Sequence, residues 1–229
     1  MNESAPEEKP AKWKPIPAKQ RRVLGVLGEK AKTTPDSYPL SLNALVNGCN
    51  QKSNRYPQMS LESIDVENEL EKLRAMGAVS EVQGGGRVAK FKHYLYEWLG
   101  VSKVESAVMI ELLLRGAQTV GELRGRAARM EPIAGVSELK PILQGLIDRG
   151  LVLSLTPEGR GHVVTHALYL EDELEKVKRN LPEEKPESSG SSSSGRVSAN
   201  EALKAEVAEL RAEVSELKAA VESIKQQIS

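Results

Sequence analysis

The stretch LRAMGAVSEVQGGGR at residues 73–87 decides the fold, because it recurs as LIDRGLVLSLTPEGR at residues 146–160. At this offset of 73 positions, identical or similar residues coincide at six of the fifteen places. The matched pairs are Leu73 with Leu146, Gly77 with Gly150, Val79 with Val152, Val82 with Leu155, Gly86 with Gly159 and Arg87 with Arg160. These matches indicate two copies of one structural unit.

In each copy, the sequence pattern predicts three helices followed by two β-rich runs. In the first copy, apolar residues recur at helical spacing, and Gly77 is a typical helix stop. The runs VSEV and VAKF then flank GGGR, as in a hairpin. Three helices and a two-stranded wing are the winged-helix plan. The sequence therefore predicts a mainly α fold with small β-hairpins (α+β), made of two tandem winged-helix domains and a C-terminal coiled-coil helix. The alternative is a single α+β domain in which the repeat is accidental.

Composition and periodicity set the expected segment boundaries. The N-terminus is rich in Pro, Glu and Lys and has no apolar periodicity, which is typical of disorder. The polar run ESSGSSSSG is typical of a flexible linker. The expected segments are a disordered N-terminus at 1–17, winged-helix domain 1 at 18–98, winged-helix domain 2 at 99–170, a short helix at 171–181, a flexible Ser/Gly linker at 182–195 and a coiled coil at 196–229.

The C-terminal heptads carry Asn or β-branched residues at position a and mainly leucine at position d. The a positions are Asn200, Val207, Val214, Val221 and Ile228, and the d positions are Leu203, Leu210, Leu217 and Ile224. This pattern favours a parallel two-stranded coiled coil. We therefore expect a homodimer, with a trimer, or a helix docked on its own body, as the alternatives.

Two long segments resemble the signature segments of the YceH-like family, a group of uncharacterised bacterial proteins. They are TTPDSYPLSLNALVNGCNQKSNRYP at residues 33–57 and LLLRGAQTVGELRGRAARM at residues 112–130. The resemblance covers roughly residues 18–170 and extends in kind to a heptad tail. It implies a tandem winged-helix body and supplies no catalytic or ligand-binding residues.

The residue inventory argues against an enzyme. One cysteine, Cys49, and three scattered histidines exclude a disulfide framework and a zinc ribbon. The chain has no nucleophile elbow, P-loop, zinc-protease motif or dinucleotide fingerprint. We therefore expect no catalysis and no metal or organic cofactor. The chain also lacks an apolar run near the roughly 20 residues of a membrane span and an apolar signal core, so we expect a cytoplasmic protein without membrane contact.

Winged helices commonly bind DNA, which makes double-stranded DNA the first candidate partner. The 32 basic and 32 acidic residues balance overall, but residues 18–98 carry 12 basic and 9 acidic side chains and residues 99–170 carry 8 and 7. This mildly basic body contains Arg, Lys, Asn and Gln side chains that suit phosphates and base edges. The candidate nucleic-acid contacts are Asn50, Gln51, Lys52, Asn54, Arg55, Arg87, Lys90, Arg124, Arg126, Arg129 and Arg160.

The sequence therefore favours a non-enzymatic, homodimeric DNA-binding protein, with transcriptional regulation as its biological role. A protein-interaction scaffold without nucleic-acid binding is the alternative, because the third helix of the first copy is rich in acidic residues that would repel phosphates. DNA binding requires exposed arginines at 124, 126 and 129, not arginines paired with carboxylates such as Glu122 and Glu131. A scaffold requires a contiguous exposed apolar patch.

Overall fold

The structure, a computed structural model, describes residues 13–82 and 88–181. These residues form an α+β fold of eight α-helices and six short strands. The helices are α1 (Ala18–Thr33), α2 (Leu42–Cys49), α3 (Ser63–Ala75), α4 (Leu95–Leu99), α5 (Lys103–Arg115), α6 (Val120–Ala127), α7 (Val136–Asp148) and α8 (Glu171–Arg179). The strands are β1 (Leu40–Ser41), β2 (Val79–Val82), β3 (Lys90–His93), β4 (Gln118–Thr119), β5 (Val152–Ser154) and β6 (Val163–His166).

Each half of the described chain contains a three-stranded antiparallel sheet, with the order β1-β3-β2 in the first half and β4-β6-β5 in the second. Leu40 pairs with Phe91, and Gln118 pairs with Val164, the residue 73 positions after Phe91. A third strand thus completes each expected two-stranded hairpin. Strands of two residues are too short to produce an alternating pattern, so the sequence could not reveal them.

The two halves also repeat in their local geometry. Gly77 and Gly150 follow α3 and α7 in the left-handed conformation, with φ of 71° and 68°. His93 and His166 occupy equivalent positions, and the Nδ1 atom of each accepts a hydrogen bond from the backbone N–H two residues later. The repeat inferred from the sequence is therefore present in the backbone and in individual side-chain contacts.

Helix α1 is the central helix of the described residues, and every residue from Gln20 to Glu29 is buried. It packs most extensively against α5, so one apolar core extends through both halves. The described residues, 13–82 and 88–181, belong to one compact unit. The expected linker and coiled coil lie outside the described residues, as do residues 1–12 and 83–87.

The structure corrects one expected boundary. We expected disorder through residue 17, but the segment at 13–17 is anchored to the folded body by two of its residues, Trp13 and Ile16. Ile16 is buried, and its backbone N–H donates to the carbonyl of Leu168 at 3.0 Å. Trp13 also packs against the core. Two isolated apolar residues in a Pro-rich segment are too few to produce a periodic pattern, so composition alone concealed them.

Two glycines allow α1 and α5 to approach each other. A Cβ atom on Gly25 would lie 2.9 Å from the side chain of Leu114. A Cβ atom on Gly28 would lie 2.7 Å from Ile110 and 2.8 Å from Leu95. Real Cβ atoms do not approach neighbours this closely, so larger residues would push the two helices apart.

We predict that Gly28→Ala lowers the free energy of unfolding by about 1–3 kcal/mol, because the added methyl group overpacks the α1–α5 contact. Urea unfolding measured by circular dichroism tests this. Gly125→Ala in α6 is the matched control, since nothing lies within 4 Å of its added Cβ atom. There we expect a gain of about 0.5–1 kcal/mol from helix propensity. Equal effects at both positions would contradict the close-approach argument.

Candidate functional site

Two groups of candidate residues, far apart in the sequence, meet where the halves of the protein join. Asn54 adopts a left-handed backbone conformation with φ of 57°. Its side-chain oxygen accepts a hydrogen bond from Nη2 of Arg115, the last residue of α5, at 2.7 Å. Next to it, the backbone N–H of Tyr56 donates to the carbonyl of Leu114 at 2.9 Å. The loop predicted to contact nucleic acid is therefore fixed against the second half of the protein.

Arg55 was predicted from the sequence to contact nucleic acid, and the structure shows that this prediction is wrong. Its side chain is fully buried, and its guanidinium forms a two-pronged ion pair with the carboxylate of Glu29 on α1. Its Nε–H donates to the carbonyl of Gly48 at 3.0 Å. A side chain enclosed in this way cannot reach a phosphate group. Arg55 instead joins α1 to the end of α2 and the loop that follows it.

Arg129 extends this ion pair into the second half of the protein. It lies in the turn after α6, and its Nη1 is 2.6 Å from Oε1 of Glu29. Its Nη2 is 3.2 Å from Oε2 of Glu111, a fully buried carboxylate on α5 that also lies 3.2 Å from Nε of Arg115. We call the set Glu29, Arg55, Glu111, Arg115 and Arg129 the junction cluster. It links the two halves through alternating charges.

The two carboxylates of the junction cluster respond differently to burial. Burial raises the pKa of Glu29, but the hydrogen bonds and charges of Arg55 and Arg129 outweigh it and hold that pKa below its usual range. Burial also raises the pKa of Glu111, and there it prevails over the opposing charges of Arg129 and Arg115. Glu29 is therefore the carboxylate whose ionised form the folded protein favours.

The other candidates in the loop after α2 have mixed roles. Asn50 fixes the loop, because its Nδ2 donates to the carbonyl of Leu61 at 2.8 Å and its Oδ1 accepts from the N–H of the same residue at 2.7 Å. Gln51 donates to the hydroxyl of Ser53 at 3.0 Å. Lys52 is exposed. Of these candidates, Lys52 is the one placed to meet a ligand in solution.

The remaining arginines of the second half contact their own neighbourhood. Arg124 donates to the carbonyl of Ala134. The side chain of Arg126 is 33% exposed; its Nη1 donates to Oε1 of Gln118 at 2.8 Å, and its Nη2 pairs with Glu122 at 3.2 Å. Pairing with Glu122 is the alternative that the sequence left open for this arginine. Glu131, the other carboxylate considered, pairs instead with Lys32 at 2.6 Å.

The hairpins present two exposed cations, Lys90 on β3 and Arg160 in the turn between β5 and β6. Arg87 lies outside the described residues, and so do all the predicted oligomerisation residues from Asn200 to Ile228. Within the described part of the chain, the exposed candidate cations outside the junction cluster are Lys52, Lys90 and Arg160. They lie far apart in the sequence.

An apolar groove lies beside α7, where the sequence analysis placed no site. Its volume is about 270 Å³, and its apolar lining comes from Val120, Val136, Pro141, Leu143 and Ile147. Lys140, Gln144, Glu158 and His162 add polar atoms. We call this the α7 groove. Val136 stands 39% exposed to solvent, although it is a large apolar residue.

A signal for this groove existed in the sequence. Val136, Leu143 and Ile147 follow helical spacing on α7, with Lys140 in the same row. They form a second, mainly apolar stripe beside the stripe of Leu139, Leu143 and Leu146 that faces the core. A helix with one buried apolar stripe and a second, adjacent one has more apolar surface than its own core uses. The β5–β6 turn contributes to the groove only through the tertiary structure, so this contribution could not be predicted from the sequence.

A metal cluster and a membrane-spanning helix each place requirements on the described residues. Cys49 is buried, and burial raises the pKa of its thiol to about 12. In residues 13–82 and 88–181, no three His, Cys, Asp or Glu side chains are grouped to hold a metal ion. Over the same ranges, none of the helices combines the length and the apolar character that a bilayer crossing needs.

We predict that Glu29→Gln lowers the free energy of unfolding by about 3–5 kcal/mol at neutral pH, because it leaves the buried guanidinium of Arg55 without a counter-charge. Urea unfolding tests this. Glu175→Gln is the matched control, since Glu175 pairs with Lys178 at 3.6 Å on the exposed surface of α8 and should cost at most about 1 kcal/mol.

The same prediction has a pH signature. Because the pKa of Glu29 is lower in the folded protein than its ordinary value of 4.5, the wild-type advantage is complete above that value. It is lost as the pH falls through the folded-state pKa. A stability difference between wild type and Glu29→Gln that persists unchanged to acidic pH would contradict the assignment of Glu29 as an ionised partner.

The comparisons with known proteins agree with the resemblance inferred from the two signature segments. The family model described as "Protein of unknown function, DUF480" matches residues 16–160, more than half of the chain. The UPF0502 protein RB6530 of Rhodopirellula baltica is 53% identical over 184 residues, covering 78% of each chain. The UPF0502 protein Acid345_3645 of Koribacter versatilis is 44% identical over 193 residues, covering 82% of this chain and 87% of its own. A UPF0502 protein of Pelobacter propionicus is 52% identical over 131 residues, covering 57% and 60%. The chain therefore belongs to the UPF0502 (DUF480) family of uncharacterised bacterial proteins.

Proposed function

We propose that this protein is a non-enzymatic docking module, built from two winged-helix units, that binds a peptide segment of a partner protein in the α7 groove. The single observation that carries this proposal is the groove itself. It offers an apolar floor on the third helix of the second half, which is the helix that winged-helix proteins use for recognition.

The winged-helix assignment is supported by the order of elements in each half. A long helix precedes a two-residue strand, two further helices and a hairpin, and the short strand pairs with the second strand of the hairpin. Helices α3 and α7 hold the position of the recognition helix, and the hairpins hold the position of the wings.

Charge at the recognition helices favours a protein partner over DNA. Helix α3 and its N-cap carry five acidic and two basic side chains between Glu62 and Arg74. Helix α7 carries Glu138 and Asp148 against Lys140. DNA binders place positive charge at this surface, because contacts with phosphates supply most of their non-specific affinity. Neither helix meets that requirement.

The groove suits a short peptide with large apolar side chains. Its volume of about 270 Å³ lies just below the roughly 300–1,000 Å³ typical of pockets for small-molecule ligands. Lys140 and Glu158 place one charge of each sign in the lining, so no strongly charged ligand is favoured. We therefore assign the occupant as a neutral, amphipathic segment with one or two aliphatic or aromatic anchors.

DNA binding is the second candidate, favoured by the exposed side chains of Lys52, Lys90 and Arg160. The wings of winged-helix proteins contact the DNA backbone, and two of these cations lie on or beside the hairpins. Arg55 and Arg129 are committed to the junction cluster, so any DNA contact would depend on the exposed cations.

We predict that Val136→Asp weakens peptide binding without unfolding the protein. Val136 is the first residue of α7, where a carboxylate interacts favourably with the helix dipole, while its charge makes the groove polar. Short random peptides displayed on phage are selected on the full-length protein, and affinities of the winners are measured by fluorescence anisotropy. We expect apolar-anchored peptides whose affinity falls at least about tenfold in the variant, equivalent to about 1.4 kcal/mol.

Val88→Asp is the matched control, because Val88 is another exposed valine, 63% accessible, and does not line the groove. It should bind the selected peptides like the wild type. Failure to select any groove-dependent peptide, combined with retention on random duplex DNA that weakens steeply with salt and is reduced by Lys90→Ala and Arg160→Ala, would replace the docking proposal with the second candidate.

We further propose that the protein forms a homodimer through its C-terminal heptads, which places two docking grooves in one assembly. We predict that a chain ending at Leu181 is monomeric by light scattering while the full chain is dimeric. In the full chain, Leu210→Lys with Leu217→Lys should also give a monomer, because both residues occupy heptad position d. Glu209→Lys, outside the a and d positions, should leave the dimer intact. A truncated chain that stays dimeric would show that another surface is the main interface.

A further inference from the structure

A second cavity is lined in part by a buried arginine whose guanidinium has no carboxylate partner in the described part of the chain. Arg22 lies on α1, is 1% exposed, and forms no ion pair with any carboxylate of the described residues. Its Nη1 donates to the carbonyl of Cys49 at 2.9 Å and its Nη2 to the carbonyl of Pro57 at 2.5 Å. Its Nε is buried and has no hydrogen-bond partner among the described residues. A charged group so deeply buried usually has a counter-ion.

The nearest source of negative charge is already shared. The charge of Glu29 reaches Arg22, but that carboxylate holds Arg55 and Arg129 directly. Burial, followed by the charge of Arg55, lowers the pKa of Arg22 to about 10, so the side chain stays protonated at neutral pH. The positive charge of Arg22 is therefore present and is not neutralised by a contacting carboxylate.

The cavity beside Arg22 has no acidic residue in its lining. Its volume is about 40 Å³, and it lies between α1, the loop at residues 56–59, the end of α5 and the segment around β6. The polar side chains that line it belong to Arg21, Arg22, Tyr56, His166 and Tyr169. The guanidinium of Arg21 already pairs with the carboxylate of Glu173 at 2.6 Å, outside this lining. The guanidinium of Arg22, the imidazole and the two phenols can still donate hydrogen bonds, and this combination suits an anion.

Two local features prepare the cavity for an anion. Nδ1 of His166 accepts a hydrogen bond from the backbone N–H of Leu168 at 3.2 Å, which leaves the ring proton on Nε2 as a donor. Gly116 has φ of 75°, and a Cβ atom there would lie 2.6 Å from Oη of Tyr169. The absence of a side chain on Gly116 therefore leaves room for the hydroxyl of Tyr169, which also lines the cavity.

We propose that this cavity is a binding site for a small monovalent anion of halide size, with the guanidinium of Arg22 as its principal ligand. The volume sets the class of ligand. It exceeds the roughly 30 Å³ share of one water molecule, so a single small ion fits. The site is independent of the α7 groove, whose lining residues are different.

The test uses the full-length protein and bromide as the probe. Crystals grown or soaked in sodium bromide should show an anomalous peak within hydrogen-bond distance of Arg22. In solution, chloride should raise the melting temperature in a saturable manner relative to gluconate at equal ionic strength, because it binds only the folded state. Arg22→Met should remove the saturable part, while Lys19→Met, which removes an exposed cation of the same helix, should keep it.

Ala18→Val keeps the experiment decisive even when Arg22→Met does not fold. Ala18 lines the cavity, so the larger side chain fills it without changing any charge. We expect this variant to fold and to lose the chloride-specific stabilisation. An absent bromide peak, or a chloride effect that Ala18→Val leaves unchanged, would overturn the proposal and assign the cavity to water.

Discussion

The close contact between α1 and α5 is the constraint on which the rest of the structure depends. Gly25 and Gly28 remove the side chains that would hold these helices apart, and Ile110 and Leu114 occupy the space. Helix α1 is consequently buried along most of its length and serves both halves. The two repeats are therefore parts of one core, although each has the complete set of elements for its own sheet.

The junction cluster forms beside this helix contact, with Glu29 on α1 and Glu111 on α5. Buried charges rarely add stability beyond that of apolar residues of the same shape, because they lose their hydration. They do, however, reject arrangements in which a charge is left alone. Arg55 can be buried only when Glu29 faces it, and Arg129 reaches the same carboxylate from the other half. The cluster thus specifies how the halves meet, and this role accounts for arginines that resemble phosphate contacts in the sequence.

Local patterns predicted the local structure well. The offset of 73 positions located the ends of α3 and α7, because a glycine in the left-handed conformation and the apolar positions before it are properties of short segments. The partners of Arg55 and Arg129 were not readable, since Glu29 lies 26 residues before Arg55 and 100 before Arg129. Ile16 was missed because isolated apolar residues in a Pro-rich segment produce no periodic pattern. The α7 groove was readable in part, from the second apolar stripe that begins at Val136.

Central burial of α1 has a consequence for the order of events during synthesis. The N-terminal half leaves the ribosome first, and domains generally begin to fold as they emerge. At that stage α1 has no α5 to cover the face that contains Gly25 and Gly28. The apolar face of α1 therefore stays exposed to water until the chain has been extended through Arg115. A nascent chain stalled before α5 would be the species most exposed to aggregation and to chaperones.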